Sequence, residues 1–137
     1  MKRKIRFRAW DGEEIYEIDG NSNVVLEYND ISGWNIIPNR HNYDGEYLAG
    51  ETIGDFVLMQ YTGLKDKNGV EIYEGDIVAE EKRDEEDNIY ICEFDNTDAK
   101  FVFCSPLDGE SLEENNFASD LKVIGNIYQN PELLTTK

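Results

Sequence analysis

The chain has 137 residues, the size of one domain, with 39% hydrophobic residues and a formal charge of −17. That length supports one ordinary core without metal or disulfide staples, and the 8 Tyr, 6 Phe and 2 Trp favour a folded chain over the disorder that such a charge balance alone implies. No run approaches the ~18 apolar residues of a membrane helix, and the basic N-terminus lacks the apolar segment of a secretory leader, so a soluble, cytoplasmic protein is expected.

Residues 2–10 read as a first strand, with Lys4, Arg6 and Arg8 on one face and Ile5, Phe7 and Ala9 on the other. This strand is expected to neutralise part of an acidic body. The first eight residues hold 5 of the 13 basic side chains and no acid, which leaves 8 bases against all 30 acids over residues 9–137, a net −22. A body so acidic repels phosphate backbones, so direct nucleic-acid binding is disfavoured. Asp11-Gly12 offers a turn. Ile15–Ile18 and Val24–Tyr28 then read as two short strands joined by an Asp19-Gly20-Asn21 turn.

Residues 29–55 hold Gly33, Pro38, Gly45, Gly50 and Gly54 among single aromatics and read as a long irregular insert, either a binding loop or an excursion of little order. His41, the only histidine, lies here without a partner motif for nucleophilic or acid–base catalysis. From Phe56 the pattern sharpens. Phe56–Thr62 and Val70–Tyr73 flank Asn68-Gly69, which predicts a hairpin closed by a type I′ turn. Asp66-Lys67-Asn68-Gly69 superficially resembles a calcium loop but lacks its third acidic position and distal Glu, so turn chemistry is the better reading.

Glu74-Gly75-Asp76 predicts a corner before a strand at Ile77–Ala79, and the six acids and two bases of Glu80–Asp87 predict a solvated tip. Ile89–Phe94 and Lys100–Cys104 form a second predicted hairpin. A register centred on Asp98 would set Cys92 opposite Cys104, and two free thiols are expected. Two cysteines in this context do not make a zinc site. Ser111-Leu112-Glu113-Glu114 fits a capping box, which predicts a short helix near 112–119. Lys122–Tyr128 closes the pattern as a strand in which Gly125 marks a bulge or a close backbone approach. Asn130-Pro131 resembles a helix start.

Three blocks in order carry a family resemblance: Ile5–Trp10, Leu58–Val78 (Leu-Met-Gln-Tyr-Thr-Gly-Leu-Lys-Asp-Lys-Asn-Gly-Val-Glu-Ile-Tyr-Glu-Gly-Asp-Ile-Val), and Val123–Leu133 (Val-Ile-Gly-Asn-Ile-Tyr-Gln-Asn-Pro-Glu-Leu). Together they resemble the YopX family of phage and prophage proteins, and the likeness spans nearly the whole chain. It implies one YopX-like domain over residues 1–137 with a variable insert at about 29–55. The implied fold is mainly β, a small SH3-like β-barrel with hairpin extensions and one or two short helices. It also implies homo-oligomers in the cytoplasm of a bacterial host, and it carries over no catalytic residue, metal ligand or cofactor.

The residues themselves leave Trp10, Tyr61, Tyr73 and Tyr128 open as core or as interface aromatics. The resulting expectation is a non-enzymatic, self-assembling protein-binding module whose partner belongs to the phage or its host. The alternative from another class is an acidic decoy that occupies a host nucleic-acid-binding protein. A magnesium-dependent phosphoryl-transfer enzyme ranks below both.

Overall fold

The computed structural model describes residues 4–18, 24–31, 33–38, 56–107, 111–113 and 118–135. The chain is mainly β and divides into two compact units, Arg6–Gln60 on the one hand and Met1–Ile5 with Tyr61–Lys137 on the other.

In the first unit, β1 (Phe7–Trp10) pairs antiparallel with β2 (Ile15–Ile18) and with the opening residues of β5 (Val57–Lys65). The register sets Ala9 between Tyr16 and Leu58, and Ala9 is wholly buried. It also sets Arg8 opposite Glu17, an opposite-charge cross-strand pair of the kind expected for the basic strand. The strand is shorter than predicted, beginning at Phe7.

The Asp11-Gly12 turn forms as expected. One carboxylate oxygen of Asp11 accepts from the N–H groups of Glu13 and Glu14, both at 2.7 Å, and Gly12 takes φ +105°. The second oxygen accepts from the Tyr16 hydroxyl at 3.0 Å. That bond to a carboxylate is the main reason the Tyr16 phenol is pushed up to about 12, so it remains a donor throughout the neutral range.

β2 and β3 (Val24–Asn29) do not form the predicted hairpin with each other, and their connecting turn lies outside the described residues. β3 pairs instead with β4 (Gly33–Pro38). The expected irregular insert therefore opens with a regular strand. The breakers Gly33 and Pro38 bound it rather than interrupt it, because Gly33 takes φ +77° beside the tip and Pro38 ends the strand, where a missing N–H is tolerated. Ala9, Val24 and Ile36 form the buried core of this unit, with Tyr16, Ile18, Leu26 and Phe56 packed against it.

The second unit holds the rest of β5, with β6 (Glu71–Tyr73), β7 (Asp76–Glu80), β8 (Asn88–Asp95), β9 (Lys100–Cys104), β10 (Ser111–Glu113) and β11 (Leu121–Asn126). Five of them form an antiparallel sheet in the order β10-β9-β8-β7-β11. β10 and β11 are its two edges, so no closed barrel is formed among the described residues. β7 is an interior strand, flanked by β8 and β11 and buried on both faces, which explains its unbroken Ile77-Val78-Ala79 run. Ile72, Val78, Cys92, Phe103, Ala118 and Leu121 form the core, flanked by Leu64, Tyr90 and Val123.

The Asn68-Gly69 hairpin is present, but its turn is not type I′. Gly69 takes φ +82°, whereas Asn68 is not in the positive-φ region. Gly69 N–H donates to the Asp66 carbonyl at 3.0 Å and Asp66 N–H to the Val70 carbonyl at 2.8 Å, a tight turn finished by a left-handed glycine. Asp66 selects this form, because its carboxylate already accepts from the Asn68 and Val70 amides.

The β8–β9 hairpin is also present, one residue away from the predicted register. Asp95 caps the Thr97 N–H at 2.9 Å and Ala99 takes φ +53°, which closes a four-residue loop between Asp95 and Lys100. Cys92 then faces Phe103, while Cys104 faces Ile91. A slip of one residue exchanges faces, so the two free thiols lie on opposite sides of the sheet, Cys92 buried and Cys104 half-buried. Burial, and after it the Glu93 carboxylate, push the Cys104 thiol up to about 11. Alkylation is expected to find two thiols in denaturant. In the native protein at pH 8 Cys104 should react on the order of a hundredfold more slowly than a thiol of ordinary pKa, with a rate rising about tenfold per pH unit toward 11. A fast native thiol at pH 8 would contradict this environment.

Where a helix is predicted near 112–119, Ser111–Glu113 form β10, with Leu112 paired to Phe103, and Ala118–Asp120 form a 3-10 turn; residues 114–117 lie outside the described residues. An eight-residue helix is marginal in water, whereas the free edge of β9 offers backbone partners at once. The second predicted helix start is present as a 3-10 turn, Pro131–Leu134, with Pro131 at its first position.

Candidate interaction surface

The family-like blocks place polar side chains inside the second unit, where each serves the backbone. The Thr62 hydroxyl donates to the Ile72 carbonyl at 2.8 Å and accepts from Leu64 N–H. Asp76, almost wholly buried, accepts from Tyr73 N–H at 2.8 Å, which fixes the Glu74-Gly75 corner. Gly75 ties that corner outward, donating to the Cys92 carbonyl and accepting from Ile127 N–H. Asp66 accepts a third amide, from Val123 of β11 at 2.9 Å, and thereby fastens the β5–β6 hairpin to a strand 57 positions away.

A matching knot closes the C-terminal end. The Asn126 side chain accepts from the Tyr128 and Gln129 amides and donates to Gln129 Oε1, and Asn126 N–H donates to Asn130 Oδ1 at 3.2 Å. Gly125 satisfies both readings of its role: the ladder shifts register between Val123 and Gly125, and a Cβ there would meet Asn130 Oδ1 at 2.5 Å. Among the described residues, no group of three or more His, Cys, Asp or Glu side chains is placed to hold a metal ion.

Of the four candidate aromatics, Tyr61 and Tyr73 are brought together as a directly opposed pair, ring centroids 5.5 Å apart, and both are buried in the chain. They occupy core positions. Tyr128 is half-buried in the turn after β11, and Trp10 is half-buried at the end of β1 in the other unit. His41 lies outside the described residues.

The outward-facing aromatics are different ones. Tyr28 and Trp34 stand opposite each other on β3 and β4, packed edge to face with centroids 5.3 Å apart and planes at 64°, yet 57% and 58% exposed. Ile31, in the turn between them, is 99% exposed. Large rings held together but left in water are the kind of feature that dominates contact energy when a partner covers them. The signal was in the sequence as two aromatics flanking Asn29-Asp30-Ile31-Ser32-Gly33, a turn with a ring on each arm. A second exposed feature is the β7–β8 tip, where Lys67 pairs with Glu81 at 2.8 Å and Lys82 with Glu85 at 3.7 Å amid further exposed acids.

These features define an antiparallel β protein whose interior polar groups hold strands in place and whose outward chemistry is aromatic and acidic. The profile of the YopX protein family matches residues 6–135, and the chain belongs to that family. The crystal structure of protein EF1440 from Enterococcus faecalis is similar over 97% of this chain and 99% of its own, with 31% identity and a TM-score of 0.62. The crystal structure of protein yopX from Bacillus subtilis shares the fold at 22% identity, TM-score 0.63, over 96% of this chain and 97% of its own. No curated protein gives a significant match. Among the described residues no helix is long and apolar enough to cross a membrane.

Proposed function

We propose that the chain is a non-enzymatic accessory protein of a phage or prophage, working in the cytoplasm of the bacterial host, that self-assembles and binds another protein. The observation that carries this reading is the ordered, solvent-facing Tyr28–Trp34 pair with Ile31 at the hairpin tip. The engagement of the Asp66 and Asp76 carboxylates by backbone amides supports it, since both act there as structural acceptors. An SH3-like curvature of the five-stranded sheet belongs to the same proposal. Light scattering at micromolar concentrations should give a multiple of the protomer mass, and a photo-reactive side chain at position 28 should cross-link to a protein in bacterial cells. A monomer that captures nothing ends this reading.

The exposed acids of the β7–β8 tip favour a second reading, the acidic decoy for a host nucleic-acid-binding protein. It is separated by salt. A decoy loses its captured protein steeply between low and moderate ionic strength, whereas an apolar contact does not.

A further inference from the structure

The β3–β4 hairpin carries its core face past the core. Val24 and Ile36 are buried on one side of the two-stranded sheet, and Tyr28 and Trp34 continue that same side into solvent, because residues two apart share a face. The paired rings are already packed on each other, so a partner meets a surface whose ordering cost is largely met in advance. Ring planes at 64° make a corner of electron-rich faces, which attracts cations.

The charged residues nearest that corner along the chain have one sign. Exposed Asp30 sits in the turn that joins the two ring-bearing strands, while exposed Glu27, next to Tyr28 on β3, lies on the opposite face of the ribbon. Between Arg8 and Arg40 the sequence has no Lys or Arg at all, against Asp11, Glu13, Glu14, Glu17, Asp19, Glu27 and Asp30. A wholly apolar partner would strip water from carboxylates without pairing them, and an anionic partner would be repelled. A cationic side chain satisfies rings and carboxylates together, and a guanidinium does so best, since its plane stacks on a ring while its edge donates to carboxylate oxygens.

We propose that the Tyr28–Trp34 corner, with Asp30, receives an arginine- or lysine-bearing segment of a protein partner. This rests on the reading of the chain as a protein-binding module and names the chemistry of what it binds. The probe is a capped hexa-arginine peptide titrated calorimetrically into the full chain at low and at moderate salt. The Y28A/W34A double variant is expected to weaken binding at least tenfold, whereas E85Q/E86Q, which removes two acids from the β7–β8 tip, should change it less than twofold. W34F should retain most of the affinity, and W34L, which keeps apolar bulk without a π face, should lose it. Far-UV circular dichroism checks that each variant is folded.

Equal losses in Y28A/W34A and E85Q/E86Q would overturn the proposal in favour of general attraction to an acidic coat. Full affinity in W34L would overturn the cationic contact. If ring removal instead dissociates an oligomer in the absence of peptide, the occupant is a second copy of the chain and the proposal fails. Absence of peptide binding while position 28 still cross-links to a protein in cells would sink the cationic partner and leave the binding module standing. Failure of both would remove the two together.

Discussion

Replacing Asp66 with Ala should lower the stability of the unit containing β5–β11 by about 3–5 kcal/mol. The carboxylate accepts from three backbone amides, those of Asn68, Val70 and Val123, at 2.8, 2.9 and 2.9 Å, and the side chain is buried. An amide left without an acceptor costs roughly 1–3 kcal/mol when water cannot reach it. Asn68 and Val70 stand at an exposed turn, so water recovers part of their loss; Val123 packs against the core and recovers least. Asp66→Asn should fall between, keeping one oxygen for the turn while its NH2 group, a donor, faces the Val123 N–H and cannot accept from it. Urea unfolding followed by far-UV circular dichroism measures the loss, and amide exchange locates it at Val123. Trp10 and Trp34 both belong to the other unit, which makes their emission the wrong readout. A midpoint for Asp66→Ala within error of the unaltered chain would show that the three bonds do not hold the hairpin.

Gly125→Ala should cost about 1–3 kcal/mol by overpacking. The added Cβ would lie 2.5 Å from Asn130 Oδ1, 2.8 Å from its Cγ and 3.0 Å from its Cβ. Asn130 has little room to retreat, because its side chain accepts from Asn126 N–H and its backbone N–H donates to the Asn126 carbonyl at 2.9 Å. Its own carbonyl accepts from Leu133 and starts the terminal 3-10 turn. Removing the obstacle should remove most of the penalty. In an Asn130→Gly background, Gly125→Ala should therefore cost far less than it does alone, and a double-mutant cycle by urea unfolding reads the difference as a coupling energy. Equal costs in both backgrounds would place the need for glycine elsewhere.

The parts legible in the sequence were those decided by neighbours along the chain. Period-two alternation and turn residues located β1, β5 through β9 and β11, and Gly125 was marked as special from its place inside an apolar strand. What failed depended on side chains reaching across the fold or on half-turns of register. The turn at Asn68-Gly69 followed the carboxylate of Asp66, whose third partner is 57 positions away. The Cys92 and Cys104 register turned on one residue of loop length, set by Asp95 and by a left-handed Ala99. The capping-box pattern at Ser111 was a sound local signal that lost to the open edge of β9.

The candidate surface was least legible, for a related reason. Tyr61 and Tyr73 drew attention because they sit in the strongest pattern, yet a strong alternating pattern is what a core requires, and both rings are buried. Tyr28 and Trp34 lay where Gly33 and Pro38 hid a hairpin, and only the pairing of β3 with β4 shows that the two rings meet.

The order β10-β9-β8-β7-β11 also fixes a sequence of events in synthesis. β7 lies inside the sheet, but one of its two neighbours, β11, leaves the ribosome only after β8, β9 and β10. Until Leu121–Asn126 emerges, the most fully buried strand of the sheet has a bare flank, and Asp66 waits for its third donor. The late arrival of one strand thus covers the flank of β7 and completes the Asp66 site at once, and a nascent chain stopped short of it is left adhesive as well as unfinished.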